Sequence, residues 1–500
     1  MSGAELTRRG ALVGLAAATL VPATSARAAR GDPIVRCAAG AFMGTRAGGV
    51  SRFLGMRYGR AARFMAPQPE PARRETLPAR DFGPSCPQRG QAGPDWSEDC
   101  LFLNVWTPDA NAAARRPVMV YFHGGAYSTG TATRPELDGA RLAAQGDVVV
   151  VTLTHRLNAF GYLYLARRDV RFADSGNLGQ LDLILVLQWV RDNIAAFGGD
   201  PGRVMVFGQS GGGAKIATLM AMPAAAGLLH AAATMSGQQV TASGPLHADA
   251  RGSAFLARLG NPSLDALVAM PAARLVEALD ATDPILGGGV YFGPVLDMKW
   301  LTRHPFWPDA APQSLHIPMI LGNTRDETRA FFPPGHPALA GLNWDNLPER
   351  LGPELKVDIL PEWVVARYRE LFPAYSAEQV FYAATTAGRS WRGQVIEAEA
   401  RAAAGAPAYV YQLNYPDPAP HMADIPLVFG TFTDPAARPV SEAMMAAFTR
   451  LAHRGDPGWP PYTLPERRTM IFEPAPRVES DPRRAERELF ARVPYIQPGT

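Results

Sequence analysis

Cysteine and lysine are nearly absent from this chain. Cysteine occurs only at Cys37, Cys86 and Cys100, and lysine only at Lys215, Lys299 and Lys356, in 500 residues. An odd cysteine count excludes a fully paired disulfide framework. The nine histidines show no close pairing and no H-E-x-x-H occurs, so no metal and no cofactor is expected. Charge of one sign is lacking too: the formal net charge is +3, which gives no electrostatic ground for nucleic acid as a partner. No uninterrupted apolar run reaches roughly 18 residues, so no stable membrane span is expected. Repeats and low-complexity linkers are also missing. Length alone would allow two or three domains; the patterning below favours one large domain over residues 29–500.

The first 28 residues are set apart. Thr7-Arg8-Arg9 precedes the uncharged apolar run Ala11 to Val21, and Ala26-Arg27-Ala28 follows with small residues at the spacing a signal peptidase reads. The run is short for about 30 Å of hydrocarbon. This layout predicts a signal peptide ending near Ala28, with the arginine pair favouring the twin-arginine route and a periplasmic or extracellular product. Export permits a disulfide. Cys86 and Cys100 bound the short segment Pro87 to Asp99 and are the preferred pair.

What is abundant is the alternation of buried strand and helix. Pro117–Phe122, Asp147–Leu153 and Arg203–Gly208 are short, β-branched, unbroken apolar runs, the pattern of strands buried on both faces. Leu101–Trp106, Pro318–Leu321 and Ala408–Leu413 read as further strands. Arg134–Gln145, Leu178–Ala196 and Ala446–Arg454 carry helical periodicity. Such alternation predicts a mainly parallel sheet covered by helices. Residues 240–390 read as helical, proline-broken insertions over that sheet.

The third buried strand ends in Gly208-Gln209-Ser210-Gly211-Gly212, a G-x-S-x-G sequence. A serine on a tight strand-to-helix turn needs neighbours without bulk, hence the two glycines. The turn lifts Oγ to the sheet edge and aims a helix N-terminus at it, where a developing oxyanion is favoured. His123-Gly124-Gly125-Ala126 follows an earlier strand and can bring N–H groups to the same point. These features predict an α/β-hydrolase fold with Ser210 as nucleophile. The triad order in this fold is serine, acid, histidine. Asp326 and Glu327 follow the Pro318–Leu321 strand and are not separated by spacing. His421 follows Ala408–Leu413, and His453 competes with it. Tyr291 and Phe292 are candidates for the wall of an acyl pocket.

Several longer segments resemble the type-B carboxylesterases, the group that includes cholinesterases and bacterial para-nitrobenzyl esterases. They are Ser97-Glu98-Asp99-Cys100-Leu101-Phe102-Leu103-Asn104-Val105, Asn177-Leu178-Gly179-Gln180-Leu181-Asp182, Phe197-Gly198-Gly199-Asp200-Pro201, Gly293-Pro294-Val295-Leu296-Asp297 and Asp424-Ile425-Pro426-Leu427-Val428-Phe429-Gly430. The resemblance spans roughly residues 34–475. It implies Glu327 as the acid, His421 as the base, an oxyanion hole from the N–H groups of Gly125, Ala126 and Gly211, a supporting Ser236, and the Cys86–Cys100 disulfide. It implies a small-molecule ester as substrate. The chain departs from the family at Gln209, where glutamate is usual, and at Gly211, where alanine is usual. It also has no tryptophan placed to meet a quaternary ammonium group; Trp96 is too close to Cys100. Uncharged or weakly charged esters are therefore expected, not choline esters. An amidase, thioesterase or transacylase on the same triad, or a binding scaffold of the same fold, stays open at this stage, as does the oligomeric state.

Overall fold

The computed structural model describes residues 31–90, 96–497 and 499. The chain divides into Met1–Gly31 and Asp32–Thr500; the expected export signal lies outside the described residues. From Asp32 onward an eleven-stranded sheet organises the fold. In chain order its strands are β1 (Thr45–Ala47), β2 (Val50–Arg57), β3 (Phe102–Thr107), β4 (Arg116–Phe122), β5 (Val149–Leu153), β6 (Gly199–Gln209), β7 (Ala231–Met235), β8 (Met319–Thr324), β9 (Ala408–Leu413), β10 (Arg468–Phe472) and β11 (Arg477–Ser480). Across the sheet the order is β11-β10-β9-β8-β7-β6-β4-β5-β3-β2-β1. Strands β4 to β10 pair in parallel, and the outer pairs are antiparallel.

Period-two alternation splits each central strand between two cores. In β4, Val118, Val120 and Phe122 join one core, and Met119 and Tyr121 the other. The first core is closed by α1 (Leu178–Asn193), buried on most of its circumference. The second is closed by α3 (Arg438–Arg454) through Met444, Phe448 and Leu451. Each such side chain contributes roughly 1.5–3 kcal/mol on burial. The first core also takes α2 (Gly211–Leu219), entirely buried against β6 and β7 through Ala214, Ile216, Ala217 and Leu219.

Two local expectations need correction. Arg134–Gln145 is not one helix: a 3₁₀ turn at Pro135–Leu137 precedes a helix at Ala140–Gly146, because Asp138 leaves helical geometry and caps the Ala140 N–H. The helix expected at Ala446–Arg454 begins at Arg438. Pro439 sits in its first turn, where the missing N–H costs nothing, and a further helix, Arg484–Phe490, follows. Within 240–390 the strand expected at Pro318–Leu321 is β8, and the later helices, Leu347–Leu355, Pro361–Leu371 and Ala377–Thr385, pack on a small core of their own around Leu351, Val364, Tyr368 and Phe381.

The cysteines also differ from expectation. All three are free thiols. Cys86 and Cys100 are buried side by side in hydrogen-bond contact, and Cys86 Sγ accepts the Leu157 N–H at 3.2 Å. The contact with Cys86, then burial, holds the Cys100 thiol well above its ordinary value. Just before Cys100, Asp99 pairs with Arg57 and Glu98 with Arg63.

Candidate active site

The parallel strands deliver the candidate residues to one edge. His123 follows β4, Ser210 follows β6, Ser236 follows β7, Glu327 follows β8 and His421 follows β9, all beyond the carboxyl ends. Such an edge is where ligands bind in open α/β sheets. A cavity of about 510 Å³ lies there, lined by Ser210, His421, Gly125, Ala126, Gly211 and Ser236 among others. That volume suits a small-molecule ligand.

Ser210 has φ 54° and ψ −126°, a left-handed conformation that only a tightly surrounded elbow maintains. Its N–H donates to Met235 O at 2.7 Å. The steric reading of the motif holds in detail. A Cβ on Gly212 would lie 1.9 Å from Phe122 O, and one on Gly208 would lie 2.7 Å from the Gly212 carbonyl carbon. Gly211 opens α2 and faces the Gly125-Ala126 turn, whose residues have φ 86° and 52°. The N–H groups of Gly125, Ala126 and Gly211 have no hydrogen-bond partner among the described residues. They are free for an oxyanion.

The acid is separated from its neighbour by orientation. Glu327 is fully buried and its Oε2 accepts from His421 Nδ1. Its Oε1 accepts from the Ser236 hydroxyl at 2.5 Å, the Thr324 N–H at 2.8 Å and Asn323 Nδ2 at 3.1 Å. Asp326 turns away, pairing with Arg325 and accepting the Ala419 N–H. Burial pushes Glu327 up, but the charge and hydrogen bond of His421, then Ser236 and Thr324, hold it below the ordinary value. Burial pulls His421 down, and Glu327 more than offsets this, leaving the imidazole raised. The pair is thus set as carboxylate beside a readily protonated imidazole. His453 lies on α3 and meets Gly146 O at 2.9 Å, outside the cavity.

Gln209, expected to support the site through a hydrogen bond without charge, reaches His421. Its Nε2 donates to His421 Nε2 at 3.1 Å, in a buried position. The imidazole nitrogen that does not face Glu327 is therefore met by the carboxamide. Tyr291 lines the cavity, as expected, but Phe292 does not. Phe292 packs on Phe255, ring centres 5.5 Å apart, inside the first core; adjacent residues of an extended segment point opposite ways.

Two further residues were missed. Lys215 on α2 is fully buried and donates to His123 O at 3.1 Å and Ala126 O at 2.9 Å, bracing the oxyanion turn from behind. Burial pulls its ammonium down to about 7. A lysine on the inward side of the helix after the elbow, in a chain with so few, was the available signal. Arg389, in the cavity lining, lies in a proline-broken region whose sequence carried no such sign.

Comparison with known proteins agrees with this geometry. The model of the carboxylesterase family matches residues 31–489. The para-nitrobenzyl esterase of Bacillus subtilis is 34% identical over 457 residues, covering 85% of this chain and 90% of that protein. A solved para-nitrobenzyl esterase is similar with TM-score 0.78 and 34% identity, over 92% of this chain and 100% of its own. A solved carboxylesterase of Geobacillus stearothermophilus gives TM-score 0.81 and 33% identity, over 91% and 99%. Fold, cavity and comparisons converge: the chain belongs to the carboxylesterase family and is an ester-hydrolysing enzyme.

Proposed function

We propose that the protein is an exported serine esterase that works through an acyl-enzyme on small esters other than choline esters. One observation carries the mechanism: Ser236, Glu327 and His421 form a continuous buried hydrogen-bond chain that reaches the cavity lined also by Ser210 and by three residues with unpartnered N–H groups. Ser210 Oγ attacks the ester carbonyl as His421 Nε2, turning from Gln209, takes its proton. Glu327 fixes the tautomer with the proton on Nδ1 and stabilises the imidazolium. Gly125, Ala126 and Gly211 bind the oxyanion; loss of one such donor typically costs ~10²–10³ in rate. His421 then protonates the leaving alcohol, and water repeats the sequence on the acyl-enzyme. Gln209 offers a hydrogen bond without charge, so choline esters should show no advantage over neutral esters of equal size.

Labelling with an organophosphonate probe tests the nucleophile. Stoichiometric labelling that disappears in Ser210→Ala is expected. Labelling that survives the substitution, or none in the native protein, overturns the reading. Export is supported by the Arg8-Arg9 pair, the apolar run and Ala26-Arg27-Ala28. A mature N-terminus just after Ala28 in an extracytoplasmic fraction is expected, and an intact N-terminus retained in the cytoplasm would refute it.

A further inference from the structure

The charges of the cavity point to a feature of the substrate. Apart from the imidazoles, the charged residues of the lining are Arg134, Glu136 and Arg389. Arg134 and Glu136 pair with each other. Arg389 pairs with no carboxylate of the cavity lining; among the described residues its carboxylate partner is Glu354 on helix Leu347–Leu355, reached by a single contact of 3.3 Å. Around it the lining is neutral and hydrogen-bonding, from Gln238, Gln239 and Ser390.

Its placement is built rather than incidental. Arg389 lies in a π-helical turn, Thr386–Trp391, between helices Ala377–Thr385 and Arg392–Ala403. Turns of this kind often mark functional positions, because the extra residue re-aims side chains. The guanidinium carbon stands 5.0 Å from the Phe331 ring centre, and the His421 ring centre stands 5.0 Å from it on its own account. Guanidinium and imidazole are therefore no more than twice that apart. Burial pulls the guanidinium below its ordinary value, with Glu354 opposing. A partly desolvated arginine with one weak partner gains more from a carboxylate than a solvated one does.

We infer that Arg389 is a substrate-binding residue that takes an anionic group, so that the preferred esters carry a carboxylate a few carbons from the scissile bond. This rests on the serine-esterase reading and names its substrate class. A dicarboxylic half-ester fits the description: water and half-ester give the dicarboxylate and the alcohol, and the distal carboxylate is unchanged. Such a group would lie beside Arg389 while the ester carbonyl meets Ser210.

Isosteric pairs test it. Monoethyl adipate is compared with ethyl 6-methylheptanoate on the acyl side, and 4-acetoxybutanoate with 4-methylpentyl acetate on the alcohol side. Hydrolysis is followed by chromatography on the full-length processed protein. In the native enzyme kcat/KM is expected to favour the anionic member of at least one pair. Arg389→Gln should reduce that ratio roughly 10- to 100-fold, chiefly through KM, as for a lost hydrogen bond to a charged group. Arg389→Lys should retain part of it, and raising salt should shrink it in the native protein. Equal or poorer turnover of both anionic members by the native enzyme overturns the inference, and so does a preference that survives Arg389→Gln. Hydrolysis of neither member of any pair by the native enzyme overturns the esterase reading itself.

Discussion

Replacing Gly211 with alanine would restore the residue usual in related enzymes, and on general grounds it should be harmless. Gly211 is the first residue of α2; an unhindered glycine-to-alanine change stabilises by about 0.4–1 kcal/mol through the unfolded chain. The local geometry predicts the opposite. An added Cβ would stand 2.2 Å from Ala126 O and 2.4 Å from Ala126 Cα, where ordinary contact is 3.4–4 Å. Both atoms are backbone, so no side chain can yield. The Gly125-Ala126 turn must retreat by about 1 Å, and Lys215 resists through its bond to Ala126 O. Oxyanion donors act within a window of roughly 2.7–3.1 Å from the oxygen, so a shift of this size takes two of three donors out of reach. A misplacement of ~1 Å costs on the order of 10²-fold. Gly211→Ala should therefore lower kcat about 100-fold with KM little changed, the signature of an interaction made in the transition state. Steady-state kinetics on a p-nitrophenyl ester, normalised by active-site titration, measures it. Activity within twofold of native together with a raised Tm would refute the reasoning.

Other expectations follow from the same buried groups. Glu327→Gln should cut kcat roughly 10³–10⁴-fold. The rate needs neutral His421, whose value Glu327 holds above about 6.5. Native activity should thus fall as pH drops through a point above that value, and the substitution should move this acid limb lower; an unmoved limb would count against the coupling. Glu397 is fully buried, with one oxygen accepting the Gln239 N–H at 2.6 Å and the other unpartnered, and burial pushes it up to about 8. Its folded-state value is raised, so its contribution is present below the unfolded value near 4.3 and is lost as pH rises to about 8, on the order of 5 kcal/mol in all. Glu397→Gln should remove that dependence, gaining stability relative to native between pH 5 and pH 8.5 in denaturant titrations; parallel profiles would refute the assignment.

The strands were legible because burial on both faces leaves unbroken β-branched runs, and Ala408–Leu413 is the same in sequence pattern and structure. The elbow was legible because its glycines answer to close backbone approach. What failed did so for physical reasons. Pro439 reads as a breaker, yet a helix tolerates proline in its first turn. Asp326 and Glu327 differ only in which way a short 3₁₀ turn aims them. Phe292 is apolar beside Tyr291, and pattern alone cannot say which of two neighbours faces the cavity. Arg389 and Lys215 escaped notice because their meaning lies in what surrounds them. For Lys215 that is two carbonyls of a turn some ninety residues earlier in the chain. For Arg389 it is the Phe331 and His421 rings.

The burial of Lys215 has a practical consequence for coupling chemistry. Among the lysine amines it is sealed from solvent, while Lys299 and Lys356 are exposed and neither lines the cavity. Amine-reactive supports and dyes therefore meet two lysine addresses on the folded protein, neither of them in the cavity lining. An esterase with so few handles attaches in few orientations.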